Sequence, residues 1–144
     1  MREQLPDDFA TRLVRDGPDA VIYADVQGLI RFWNAAATRL FGYRESEALG
    51  ASLDLIIPER LRQRHWQGYG EVMRGRQSRY AEGALLAVPA RHQDGRQLSV
   101  EFTILPLHDA SGAMLGIAAT MRDVTARFEE TRALRRELAA LKQP

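Results

Sequence analysis

Apolar positions at Phe9, Leu13 and Val14 recur at helical spacing behind Asp7 and Asp8, which stand where helix caps stand. They predict a short amphipathic helix over residues 6–16, closed by Gly17-Pro18. The period then changes. Ala20-Val-Ile-Tyr-Ala24 and Leu29-Ile-Arg-Phe-Trp33 read as strands joined by a turn at Asp25-Val-Gln-Gly28. Asn34 caps a helix that runs through Phe41 and stops at Gly42. Ser46 to Gly50 adds one helical turn, and Leu53 to Ile57 a buried turn. Pro58 is placed to begin a longer helix reaching about Arg74, since its missing N–H is not needed in the first turn. Three strands follow, at 84–91, 97–107 and 114–123, separated by turns at His92–Gly95 and His108–Gly112. In the middle strand Val100, Phe102 and Ile104 alternate with Glu101 and Thr103, so one face is wet or paired. From Thr125 the pattern is helical again. Phe128, Thr131, Leu134, Leu138 and Leu141 step by three and four, the spacing of a coiled-coil seam.

Two strands, a group of short helices, then three strands predict an α+β fold. The expected architecture is a five-stranded antiparallel sheet with short helices across one face and a flanking helix at each end. It divides into a flanking helix over 1–16, a central domain over 17–125 and a terminal helix over 126–144.

Composition narrows the function. Twenty basic and 19 acidic residues leave a net charge of +1, which advertises neither nucleic acid nor an anionic membrane as a partner. There are no cysteines, so disulfides, thiolate metal sites and cysteinyl adducts are excluded, and a reducing cytoplasm is the expected setting. The polar start Met1-Arg2-Glu3-Gln4 leads into no apolar segment of a signal peptide, and no apolar run approaches a membrane span. Acidic residues show no paired spacing for acid–base chemistry, and no phosphate loop, H-E-x-x-H or G-x-S-x-G is present. The chain is not expected to be an enzyme.

Several segments, taken together, resemble the PAS sensory domains. They are Pro18-Asp-Ala-Val21, Phe32-Trp-Asn-Ala-Ala36, Leu40-Phe-Gly-Tyr43, Glu47-Ala-Leu-Gly50, Ile57-Pro-Glu-Arg60, Gln93-Asp-Gly95 and Arg122-Asp-Val-Thr125, in family order from about Gly17 to Thr125. The resemblance implies a sheet with a helix-lined pocket, and a hinge at Asp123 and Thr125 through which the pocket's state reaches the exit helix. Pro58-Glu-Arg-Leu-Arg-Gln-Arg-His65, with Arg91-His-Gln-Asp-Gly95, is similar to the haem-binding PAS domains of rhizobial oxygen-sensor kinases. That likeness implies haem b, with His65 as its proximal ligand. The subfamily's distal arginine has no counterpart: allowing one inserted residue, Leu85 or Leu86 takes its place.

Physical reading of His65 leaves two outcomes open. Leu61, His65, Tyr69 and Val72 form one helical stripe expected to face the sheet, and a neutral imidazole facing an apolar space is a competent iron ligand. The competing outcome is a hydrogen-bonded, half-buried histidine with no metal. Gly68 and Gly70 are costly inside a helix and predict either the close approach of another group or a loosened helix end. Leu85, Leu86, Val88, Phe102, Ile104, Ile117, Ala119 and Met121 supply an apolar lining or, without haem, plain core. As a distal side lacking a hydrogen-bond donor, it suits CO or NO better than bound O₂. Arg79 stands either at a propionate or in an exposed loop.

Trp33 and Trp66 raise a flavin alternative, with Trp33 expected in the core and Trp66 one position off the inward stripe. His92 and His108 are expected in solvent-facing turns. The terminal helix, with arginines and glutamates flanking its seam, predicts a parallel homodimer, which the first helix joins through Leu5, Phe9 and Leu13. No effector segment follows Thr125, so signalling is expected to pass to a separate downstream protein or to an effector domain of a longer chain. The competing readings are a cofactor-free dimerisation module that binds a partner protein and a sensor of flavin or another organic ligand.

Overall fold

Backbone pairing builds one antiparallel sheet of five strands in the order β2-β1-β5-β4-β3. The computed structural model describes residues 5–75 and 84–142. Its strands are β1 (Ala20–Asp25), β2 (Ile30–Trp33), β3 (Leu86–Arg91), β4 (Gln97–His108) and β5 (Met114–Asp123). Its helices are α1 (Phe9–Asp16), α2 (Ala35–Phe41), α3 (Glu45–Ala48), α4 (Arg62–Met73) and α5 (Thr125–Leu141), with 3₁₀ turns at Leu53–Ile56 and Glu59–Leu61. The expected α+β architecture is the one observed.

Differences from the expected elements have local causes. Pro58 does not begin α4. The chain makes a 3₁₀ turn at Glu59–Leu61 first, and the helix starts at Arg62. The first of the three later strands starts at Leu86, not at residue 84, so Leu85 precedes it. Asp8 occupies the cap position of α1, but its side chain makes no capping bond and is paired instead with Arg12 at 2.8 Å.

The sheet's register sets its inner face. Leu86 pairs with Phe102, Phe102 with Met121 and Met121 with Ala20. Ile104 pairs with Ala119, Ala119 with Ile22 and Ile22 with Trp33. Paired residues share a face, so Leu86, Val88, Phe102, Ile104, Ile117, Ala119 and Met121 all lie on the core side, as their alternation predicts. Alanines at 20, 24, 36 and 37 let α2 approach β1 closely, and Ile22, Ile30, Trp33 and Phe41 are sealed beneath.

Asn34 fixes this junction. Its Oδ1 accepts from the N–H groups of Val21 at 2.9 Å and Ala37 at 3.0 Å, and its Nδ2 donates to the carbonyls of Val14 at 2.8 Å and Asp19 at 2.9 Å. One buried amide therefore caps α2, enters β1 and holds the end of α1, with its hydrogen-bonding capacity used.

Candidate functional site

The site is built around α4. Two aromatic residues pin that helix to the turn between β1 and β2. Tyr69 donates its hydroxyl to the Asp25 carbonyl and, at 3.3 Å, to that of Ala24. Trp66 lays its ring against Gly28, where a Cβ would fall 2.2 Å from the ring, and its Nε1 donates to Asp54 Oδ1 at 2.8 Å. Gly28 has φ +79°, so this turn needs a residue without a side chain for both conformation and space. Trp66, one position off the stripe, is thus half-buried and bonded. Trp33 is in the core, with its Nε1 donating to Thr38 Oγ1 at 3.0 Å.

His65 sits between these anchors. Its ring centroid is 4.6 Å from that of Trp66, edge to face, and 5.7 Å from that of Tyr69. Along the predicted stripe, Tyr69 and Val72 are buried while Leu61 and His65 are half-buried. His65 Nδ1 is buried and has no hydrogen-bond partner among the described residues. Burial pushes the imidazole pKa below its ordinary value, and the Asp54 carboxylate opposes that only in part. The ring is therefore held neutral, the form that binds a metal. Burial also pushes the Tyr69 phenol well up, so it remains a donor.

The other predicted site residues separate into groups. Phe102, Ile104 and Ala119 are half-buried and pack against the core, Leu86 is half-buried, and Ile117 and Met121 are buried. Val88, on the same face, is 37% exposed. Leu85 is 65% exposed and lies outside the strand, so Leu86 alone is the inner-face candidate for the distal position. Arg79 lies outside the described residues. A Cβ on Gly68 meets nothing within 4 Å, and one on Gly70 meets the Arg74 guanidinium at 3.2 Å, so close packing among the described residues does not account for Gly68. His108 ends β4 and is exposed. His92, expected in solvent, is half-buried against Gly42, and its Nδ1 accepts from the Asp94 N–H at 3.1 Å.

Two surface hollows lie elsewhere. One, of about 310 Å³, is lined by Pro58, Arg60, Arg91 and Gln97 among others, and one of about 420 Å³ by Asp19, Arg39, Met121 and Arg122 among others. Neither takes in His65. Among the described residues, no three His, Cys, Asp or Glu side chains converge as a metal site. Iron held by one imidazole and a macrocycle needs no such cluster, and the neutral His65 imidazole, whose buried Nδ1 has no partner among the described residues, fits that group.

The segment expected to act as a hinge is also bonded. Val124 N donates to Ser99 O at 2.8 Å, Ser99 N donates to Thr125 Oγ1 at 3.0 Å, and Thr125 N donates to Asp123 Oδ1 at 2.9 Å. The start of α5 is thereby clamped to β4, the strand that carries Phe102 and Ile104. Among the described residues no helix is long and apolar enough to cross a membrane.

Comparison with known proteins gives the same frame. The chain is 32% identical over 126 residues to the sensor protein FixL of Bradyrhizobium diazoefficiens, covering 84% of this chain and 23% of that protein. It is 30% identical over 108 residues to the oxygen sensor protein DosP of Escherichia coli, covering 73% of this chain and 13% of that one. The chain thus spans less than a quarter of the length of these relatives. Among solved structures, the PAS domain of a Colwellia psychrerythraea protein superposes with a TM-score of 0.70 at 20% identity, over 81% of this chain and 95% of that one. An RNA-binding light-oxygen-voltage receptor superposes with a TM-score of 0.72 at 21% identity, over 96% of this chain and 40% of that one. Both structural likenesses speak for the fold alone. The family model described as the PAS fold matches residues 14–129, and the chain belongs to the PAS family.

Proposed function

We propose that this chain is a non-catalytic sensor unit that binds haem b through His65 and responds to a diatomic gas or to redox state. The observation that carries the reading is His65 Nδ1, a buried imidazole nitrogen with no partner among the described residues, on a ring held neutral. An unpaired buried polar atom is costly unless something satisfies it. The likeness to haem-binding PAS domains and the match to an oxygen sensor protein support the same reading.

When bound, haem supplies an iron that exchanges a ligand or an electron. The chain's own residues do the rest. His65 would hold the iron, with Tyr69 and Trp66 fixing the helix that carries it. Leu86, Phe102, Ile104, Ile117 and Met121 would line an apolar distal side, favouring CO or NO over O₂. Phe102 and Ile104 share β4 with Ser99, so a shift of that strand reaches Val124 and Thr125 directly. The response would leave through α5 in a cytoplasmic homodimer and pass to a downstream signalling protein or effector domain.

The test is the absorbance spectrum of freshly purified protein. A Soret band that is lost in His65→Ala is expected. A colourless protein that takes up no added haemin overturns the reading. The second reading is a cofactor-free interaction module, favoured by the aromatic packing of His65 on Trp66 and by the exposed apolar faces of α1 and α5. Flavin is the remaining alternative, read out by fluorescence after denaturation.

A further inference from the structure

The hollow of about 310 Å³ beside the β3–β4 turn gathers two arginines around one amide. Arg91 ends β3 and Gln97 begins β4, and the two stand opposite each other in the antiparallel ladder. Their Cβ atoms are therefore neighbours on one face, about 5 Å apart. Arg60 comes from the 3₁₀ turn before α4 and reaches the same amide, its Nη2 donating to Gln97 Oε1 at 2.8 Å. Two guanidinium groups from separate parts of the chain thus border one space, with buried Pro58 and Ala90 in its lining.

Positive charge is left over here. Arg31, Arg96 and Arg122, at other strands and turns, each lie within ion-pair distance of a carboxylate. Arg60 and Arg91 do not, among the described residues, and Glu59, the acid in the lining, pairs with neither. Gln97 gives Arg60 a neutral acceptor where a glutamate would have neutralised it. Like charges around one space repel, and an anion between them reverses the sign of that interaction.

We infer that this hollow binds a small phosphate monoester. A phosphate brings three terminal oxygens and close to two negative charges, which match two planar guanidinium forks. A carboxylate brings two oxygens and one charge, enough for one fork. Glu59 disfavours a bare anion and offers an acceptor to a hydroxyl, so a phosphate carried on a hydroxylated group uses both the cations and the acid of the lining. Arg60 lies in the turn that leads into α4, so occupancy acts on the start of the helix that carries His65. Only that last link bears on the haem reading; the site itself does not depend on it.

The test is a titration of the whole chain with glycerol phosphate at low salt, followed through the arginine side-chain N–H signals in nitrogen-edited NMR. Saturable shifts at Arg60 and Arg91 are expected, with no shift from glycerol and weaker binding of acetate. Arg60→Gln and Arg91→Gln are each expected to weaken binding about tenfold, the loss of one charge-assisted contact. Arg96→Gln is the control, since that side chain is paired with Asp94 at 3.4 Å and is not in the lining; it is expected to leave binding unchanged. Glu59→Gln is expected to tighten binding of inorganic phosphate, because a like charge leaves the site. Glycerol phosphate bound no tighter than acetate, arginine variants that bind as wild type does, or weaker phosphate binding by Glu59→Gln would each overturn the proposal. A colourless protein that binds glycerol phosphate would keep this site and remove the haem, while a haem-bearing protein with unmoved arginine signals would do the reverse.

Discussion

Along a single rung of the sheet, from Trp33 through Ile22 and Ala119 to Ile104, the inner face passes from sealed to half-open. Trp33 and Ile22 are 1% and 2% exposed, whereas Ala119 and Ile104 are half-buried. The neighbouring rung repeats the gradient, from Ala20 at 2% through Met121 at 9% to half-buried Phe102 and Leu86. All eight side chains point to the same side, so the difference lies in what covers them. The β1–β2 half lies under α2, brought close by alanines and locked by Asn34. The β4–β3 half is sealed at Ala90, Leu98 and Val100 and half-open along these two rungs, at Leu86, Phe102 and Ile104.

The sharpest way to break this comparison is one substitution made in both halves. Phe41 is fully buried and Phe102 half-buried. Phe41→Ala is expected to cost about 3–5 kcal/mol in denaturant unfolding, the range for a sealed aromatic. Phe102→Ala is expected to cost about 1–2 kcal/mol, because less transfer and less cavity are at stake. Equal costs would mean that Phe102 is ordinary core and that the half-open region is a filled one.

Sequence periodicity located the five strands, while their order and register came from the pairing. Alternation along β4 separates Phe102 and Ile104 from Glu101 and Thr103, and the pairing of β4 with β5 brings Ile117 and Met121 to the same face. Asn34 and Gly42 marked α2 for the same local reasons, and Gly42 indeed takes a left-handed φ of 87°. Long-range contacts were not legible. Gly28 read only as a turn glycine, since nothing local says that Trp66, far along the chain, will lie on it. Asn34 read as a cap, while its bonds to Val14 and Asp19 depend on where α1 and β1 meet. Leu85 and Leu86 were indistinguishable until the start of β3 was known.

Gly28 gives the second test, because it ties α4 to the sealed half. Gly28→Ala places a methyl at a positive φ and against the Trp66 ring at 2.2 Å. Gly50 is the control: its φ is +83° and a Cβ there meets nothing within 4 Å. Gly50→Ala is expected to cost about 1 kcal/mol, and Gly28→Ala about 2–3 kcal/mol, with hydrogen exchange in α4 accelerated only by the latter. Equal costs and unchanged exchange would show that Trp66 does not hold the helix.

The smallest effect concerns His65 itself, in protein free of any bound group. Burial holds its pKa below the 6.5 of an ordinary histidine, with Asp54 opposing in part. The unfolded chain then takes up a proton more readily than the folded one, so stability rises with pH across that interval. This contribution is fully present above 6.5 and is lost as pH falls from there toward the lowered folded value. Wild-type Tm is expected to fall more steeply than that of His65→Phe between about pH 7 and 5. Tyr69 adds nothing in this range, because its phenol is pushed up and stays protonated. Parallel profiles would mean that the folded imidazole protonates as freely as the unfolded one. His65 would then belong with solvent-exposed histidines, and the helix between Trp66 and Tyr69 would lose the neutral nitrogen on which metal binding depends.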